Sequence, residues 1–162
     1  MKVEMNVIEI EWEGPISIND ITKLVNDNDY GIYQIYGTHP VFGSNTLLYV
    51  GKASLQTFAT RLFQHNWIEW SPSDVSIYVG RLGSIKDITI KEWEKQIDIA
   101  ERLLIYYCKP PHNSSNINYF GKIEDTTVLN YGKRHSIPFE VSTLWETSDY
   151  VTNYDDWNHF TC

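Results

Sequence analysis

Residues 30–52 read YGIYQIYGTHPVFGSNTLLYVGK. Two tyrosine-bearing triplets, Gly31-Ile32-Tyr33 and Tyr49-Val50-Gly51, flank a polar loop containing Gly37, Pro40 and Gly43. Aromatic and β-branched runs bounded by turn formers predict a hairpin with strands at 31–36 and 46–51. Either the two tyrosines only dress its faces, or they stand side by side for chemistry. A third triplet, Tyr78-Val79-Gly80, shows that half of the pattern arises alone.

Working outward, residues 4–12 alternate charged and apolar side chains as a strand does, and a short helix follows at about 18–26 with Ser17 as N-cap. Beyond the hairpin, Ser54 is placed to cap a helix over 55–66, in which Leu55, Phe58, Ala59 and Leu62 form an apolar stripe. Residues 75–82 (VSIYVGRL) read as a strand, and residues 90–107 as a long helix. Lys109-Pro110-Pro111 ends that helix, because proline cannot continue its hydrogen-bond ladder. A polar loop occupies 112–122, and runs at 126–131 and 138–144 suggest a C-terminal hairpin. The expected fold is α+β: a small α/β/α sandwich with a central three-stranded antiparallel sheet, plus N- and C-terminal extensions. Residues 1–162 read as one domain.

The composition fits a folded chain with one core: 162 residues, 42% hydrophobic and 14% aromatic. No apolar run reaches the roughly 18 residues of a membrane span, and the N-terminus lacks the apolar block of a secretory signal. A cytoplasmic location without membrane contact is expected. Cys108 and Cys162 supply neither a disulfide framework nor metal-ligand spacing.

The net charge of −8 argues at first against a nucleic-acid partner. Its distribution weakens that objection. Residues 1–29 hold seven acids and two bases, and no Lys or Arg follows Arg134, whereas residues 30–139 hold nine acids and eleven bases. Between Tyr30 and Ile68 there is no acid, while Lys52, Arg61, His39 and His65 are present. The acidic ends read as solvated faces.

Five features carry candidate chemistry. Glu101 lies four residues after Ile97 and three before Leu104, so its carboxylate is aimed at or beside the apolar face of the long helix. It needs a partner there: an Arg or Lys, an edge position, or a cation. Arg61 and His65 are four apart and share one helix face, either solvated or set to grip a phosphate and move a proton. Tyr33 and Tyr49 sit on adjacent antiparallel strands of the hairpin, with Lys52 at the strand end as a cation beside them. A phenol with its ordinary pKa near 10 is only about one part in a thousand ionised at pH 7 and needs such help to act as a base. Asn113, after the two prolines, is a turn residue or an amide that folds back onto a site carboxylate or caps a loop.

Together, in this order and spacing, these elements resemble the GIY-YIG nuclease superfamily over roughly residues 29–116. The resemblance implies a nuclease core of about 29–121 that hydrolyses phosphodiester bonds with one divalent cation, Mg²⁺ or Mn²⁺, held by Glu101. It implies that Arg61 contacts the scissile phosphate, that Tyr33 or Tyr49 activates or positions the attacking water, and that Lys52 and His65 assist. It also implies that Asn113, with Asn116 as substitute, orders the Glu101 end of the site. The implied partner is DNA ahead of RNA, with a homodimer where paired nicks need two copies. No separate DNA-binding motif appears, and the longer loop between the triplets reads as a substrate-contacting flap. The competing reading is a catalytically silent nuclease-like module that binds nucleic acid or a protein.

Overall fold

The computed structural model describes residues 5–65, 74–83 and 88–145. Six strands form one sheet: β1 (Asn6–Ile16), β2 (Gly31–His39), β3 (Gly43–Ala53), β4 (Ser76–Leu82), β5 (Thr126–Gly132) and β6 (Glu140–Ser142), in the order β3-β2-β4-β1-β5-β6. Two α-helices, α1 (Phe58–Phe63) and α2 (Ile90–Cys108), and a 3-10 helix over Ile18–Lys23 pack on it. A further 3-10 turn, Thr143–Trp145, follows β6.

The expected three-stranded central sheet is therefore corrected. β3, β2 and β4 pair antiparallel as expected, but they are only one half of the sheet. β1 is an interior strand, antiparallel to β4 and parallel to β5, with Ile10 opposite both Leu82 and Asn130. Alternation along β1 buries Ile8, Ile10 and Trp12 and exposes Glu9, Glu11 and Glu13. That pattern fixes which face is buried, but it is the same for an edge and an interior strand. Trp12 Nε1 donates to Asn130 Oδ1 at 2.9 Å, a buried bond across the parallel pair.

The two faces are covered unequally. α2 buries Ile97, Ala100, Leu103 and Leu104 against Ile8, Ile10, Ile32, Val50 and Val128, spanning both halves of the sheet. On the other face, α1 and the 3-10 helix bury Phe58, Ala59, Leu62 and Ile21 against Tyr33, Ile35, Ile77 and Val79, over β2–β4 only. The sandwich character holds for that half.

Boundaries moved for local reasons. The hairpin strands run on to His39 and from Gly43, so the expected long flap is a turn over residues 40–42. Thr57, not Ser54, caps the first helix, its hydroxyl accepting from Thr60 N, and Leu55 stands 81% exposed outside the stripe. The helix ends at Phe63 with Gln64 as C-cap, so His65 lies past it; residue 66, where the expected helix ended, lies outside the described residues. The expected helix over 18–26 is the 3-10 turn, and Ser17 Oγ donates to the Asp20 carboxylate at 2.7 Å instead of capping backbone. α2 begins at a Thr89 cap and ends one residue beyond expectation, at left-handed Lys109 before the prolines. The strands at 126–131 and 138–144 are β5 and a shorter β6, paired antiparallel. Among the described residues no helix is long and apolar enough to cross a membrane.

Candidate active site

The glycines of the two triplets do different work. Gly31 has φ +146°, and a Cβ there would fall 2.0 Å from the Gly80 carbonyl oxygen, so this glycine lets β2 and β4 pair closely. Gly51 pairs with Tyr33 across the hairpin, and a Cβ on it would lie 2.5 Å from Tyr33 Cζ and 2.6 Å from Tyr49 Cε1. The bare backbone of Gly51 is the floor on which both phenols lie. Tyr33 is fully buried, and its ring stacks beside that of Tyr49 with centroids 6.1 Å apart at 30°. By contrast, Tyr78 of the third triplet packs in the core on the α2 side.

α1 and the turn that follows it bring the next pair. His65 Nε2 stands 2.5 Å from the Tyr33 hydroxyl, and its ring lies 5.0 Å from that of Tyr49. Arg61, one turn earlier, acts on both phenols through charge and hydrogen bonding. Its Nη1 donates to Gln64 Oε1 at 3.0 Å, and it has no carboxylate ion pair among the described residues. Burial, then the neighbouring Tyr49, pushes the Tyr33 pKa far above the ordinary phenol value. Burial, then the Glu101 charge, raises that of Tyr49. Burial and the Arg61 charge hold His65 below the usual imidazole value. At neutral pH both phenols keep their protons and the imidazole is neutral.

α2 supplies the carboxylate. The Glu101 side chain is 13% exposed, and its Oε2 meets Lys52 Nζ at 3.0 Å. Burial raises its pKa, Lys52 opposes that, and Asp98 adds to it. Lys52 is also paired with Asp98, which in turn pairs with Arg102. Burial works against the Lys52 ammonium, and its bonds to Asp98 and Glu101 outweigh that, leaving its pKa raised. Asp98 and Arg102 escaped the sequence reading. Their signal was helical spacing: Asp98 lies three residues before Glu101 and four before Arg102.

The expected role of Asn113 is corrected. Its amide does not meet a site carboxylate: Oδ1 accepts from Val50 N at 3.0 Å and Nδ2 donates to Val50 O at 2.8 Å. With His112 N donating to Leu48 O, this segment pairs with the outer edge of β3. Asn116 sits at φ 62° as a turn residue and makes no such pair among the described residues. Asn113 thus positions the strand that carries Tyr49, Gly51 and Lys52. Asn113→Ala is expected to cost about 1–3 kcal/mol. Hydrogen exchange at the Val50 amide is expected to quicken more than that of β1; equal protection in both proteins would contradict the assignment.

Of seven predicted site residues, Tyr33, Tyr49, Arg61 and His65 form one contacting cluster, Lys52 and Glu101 form an ion pair whose charge reaches the phenols, and Asn113 stands behind β3. Glu101 offers a carboxylate whose burial calls for positive charge. No group of three or more His, Cys, Asp or Glu converges among the described residues, so a cation here would take its remaining ligands from water and substrate oxygens, as Mg²⁺ commonly does. No protein-family model, curated protein or solved structure matches the chain.

Proposed function

We propose that the protein is a metal-dependent endonuclease that hydrolyses phosphodiester bonds in DNA, with a site of GIY-YIG type. One observation carries this reading. Side chains spread from Tyr33 to Glu101, on two strands, two helices and the turn after α1, come together as a phenol pair, a guanidinium with no carboxylate partner among the described residues, a neutral imidazole and a largely buried carboxylate.

Each chain residue has a task suited to its surroundings. Arg61, with no carboxylate partner among the described residues, takes a non-bridging phosphate oxygen and shares the charge that grows there during attack. A phenol pushed upward in pKa is a poor base alone. Tyr33 is fully buried, so half-buried Tyr49 meets the attacking water: its hydroxyl accepts the water's proton as its own passes to Tyr33, whose proton passes to neutral His65 Nε2. Tyr49 lines the water's approach, and Lys52, itself paired with Asp98, holds Glu101 in place. Glu101 would hold the divalent cation, which supplies Lewis-acid polarisation of the phosphate and charge for the leaving oxygen.

Two results follow. Arg61→Ala is expected to lower nicking of supercoiled plasmid by about 10²–10³-fold and to weaken DNA binding far less. Equal losses in both would remove its assigned role. The rate should also fall in acid as His65 gains a proton, along a limb centred below the ordinary imidazole value of about 6.5. In His65→Gln that limb should vanish; an unchanged limb would assign it elsewhere.

A further inference from the structure

A hollow of about 420 Å³ opens between the loop before β2, the segment after β3 and the first turns of α2. Two of its walls are aromatic: Tyr30 and Trp93 meet edge to face, with centroids 5.6 Å apart and planes at 69°. Leu55 and Ile90 add apolar surface, 81% and 76% exposed. Asp27 and Glu94 bring two carboxylates, and among the described residues no Lys or Arg lines it. Neither carboxylate has an ion-pair partner among the described residues.

We propose that this hollow binds an alkylammonium group. Two rings set edge to face make an aromatic corner in the wall of the hollow, and aromatic surface is what recognises quaternary and methylated ammonium groups. The apolar residues suit the carbon shell of such a group, and the carboxylates at Asp27 and Glu94 supply the counter-charge. A nucleotide fits poorly, since its phosphate would meet two carboxylates and, among the described residues, no cation. The ligand chemistry has two sources, a free polyamine or a lysine side chain of a partner protein. Glu94 lies one helical turn before Asp98, the partner of Lys52, so an occupant borders the site described above. The proposal stands apart from the nuclease reading and does not need it.

The test is a titration of the full chain followed at the Trp93 indole N–H by NMR, with that signal identified through Trp93→Phe. The probes are tetramethylammonium, spermidine and a trimethyllysine peptide, against sodium chloride of equal ionic strength and guanosine 5′-monophosphate. A saturable shift with the ammonium probes is expected. The double variant Asp27→Asn, Glu94→Gln should weaken it about tenfold, and Tyr30→Leu should do likewise with the rest of the spectrum unchanged. Tighter binding of spermidine points to a polyamine, and tighter binding of the peptide to a partner's lysine; both support the site. No shift beyond the sodium chloride control, a shift indifferent to the double variant, or a shift with guanosine monophosphate alone would overturn it. Loss of nicking in Glu101→Ala with cation binding retained separates this site from the nuclease site.

Discussion

Glu101→Ala is expected to abolish Mg²⁺-dependent nicking, a loss on the order of 10³-fold or more, while the protein stays folded. Glu101 is the acid with the least exposed side chain among those paired with Lys52, and the reading gives it the cation on which the chemistry depends. Its burial raises its pKa despite Lys52, so the folded chain holds that proton more tightly than the unfolded chain does. The contribution of Glu101 to stability then falls as pH rises through its folded pKa, and at neutral pH the bare carboxylate is a net cost. Glu101→Gln keeps the shape and removes the charge, and Lys52 retains Asp98. This variant is expected to melt no lower than wild type at pH 7 while being equally inactive. A large fall in melting temperature together with lost activity would make Glu101 a structural residue first.

Gly31→Ala should give the largest loss of stability. Its Cβ would fall 2.0 Å from Gly80 O, at a φ of +146° that L side chains rarely adopt. Neither side can yield easily, because a Cβ at Gly80 already has Ile10 and Trp12 within 3 Å of its place. Relief requires β2 to part from β4, which would detach the β2–β3 hairpin from the rest of the sheet. A cost of about 3 kcal/mol or more is expected, which for a chain of this size lowers the melting temperature by roughly 6–12 °C. Calorimetry of the variant checks this. Gly51→Ala, by contrast, adds its methyl beneath Tyr33 and Tyr49 and should lower activity more than stability.

The two glycines show how far the sequence could be read. The triplets located the hairpin because alternation and turn residues are local signals, and Tyr33 and Tyr49 lie on its paired strands, meeting diagonally because Tyr33 is opposite Gly51 and Tyr49 opposite Ile35. Helix spacing put Arg61 and His65 on one face and Glu101 at the margin of the apolar face, where it lies. Pairing across more than a hundred residues was not legible. Nothing in the alternation of β1 says that its neighbours are β4 and β5, and the sheet was accordingly read at half its width. Asn113 failed for a related reason: a loop amide can reach any nearby acceptor, and only the path of β3 decides that it takes the Val50 backbone. Asp98 was missed because an exposed helix acid resembles any other until Lys52 is placed beside it.

The most direct measurement is cleavage of supercoiled, linear and branched DNA by purified protein, with Mg²⁺ or Mn²⁺ and then with chelator, beside Glu101→Ala. The wild-type chain is predicted to nick DNA only with metal, and the variant to leave it intact. Equal inertness of both chains on every DNA substrate, and on RNA, would contradict the nuclease reading and leave a binding module in its place.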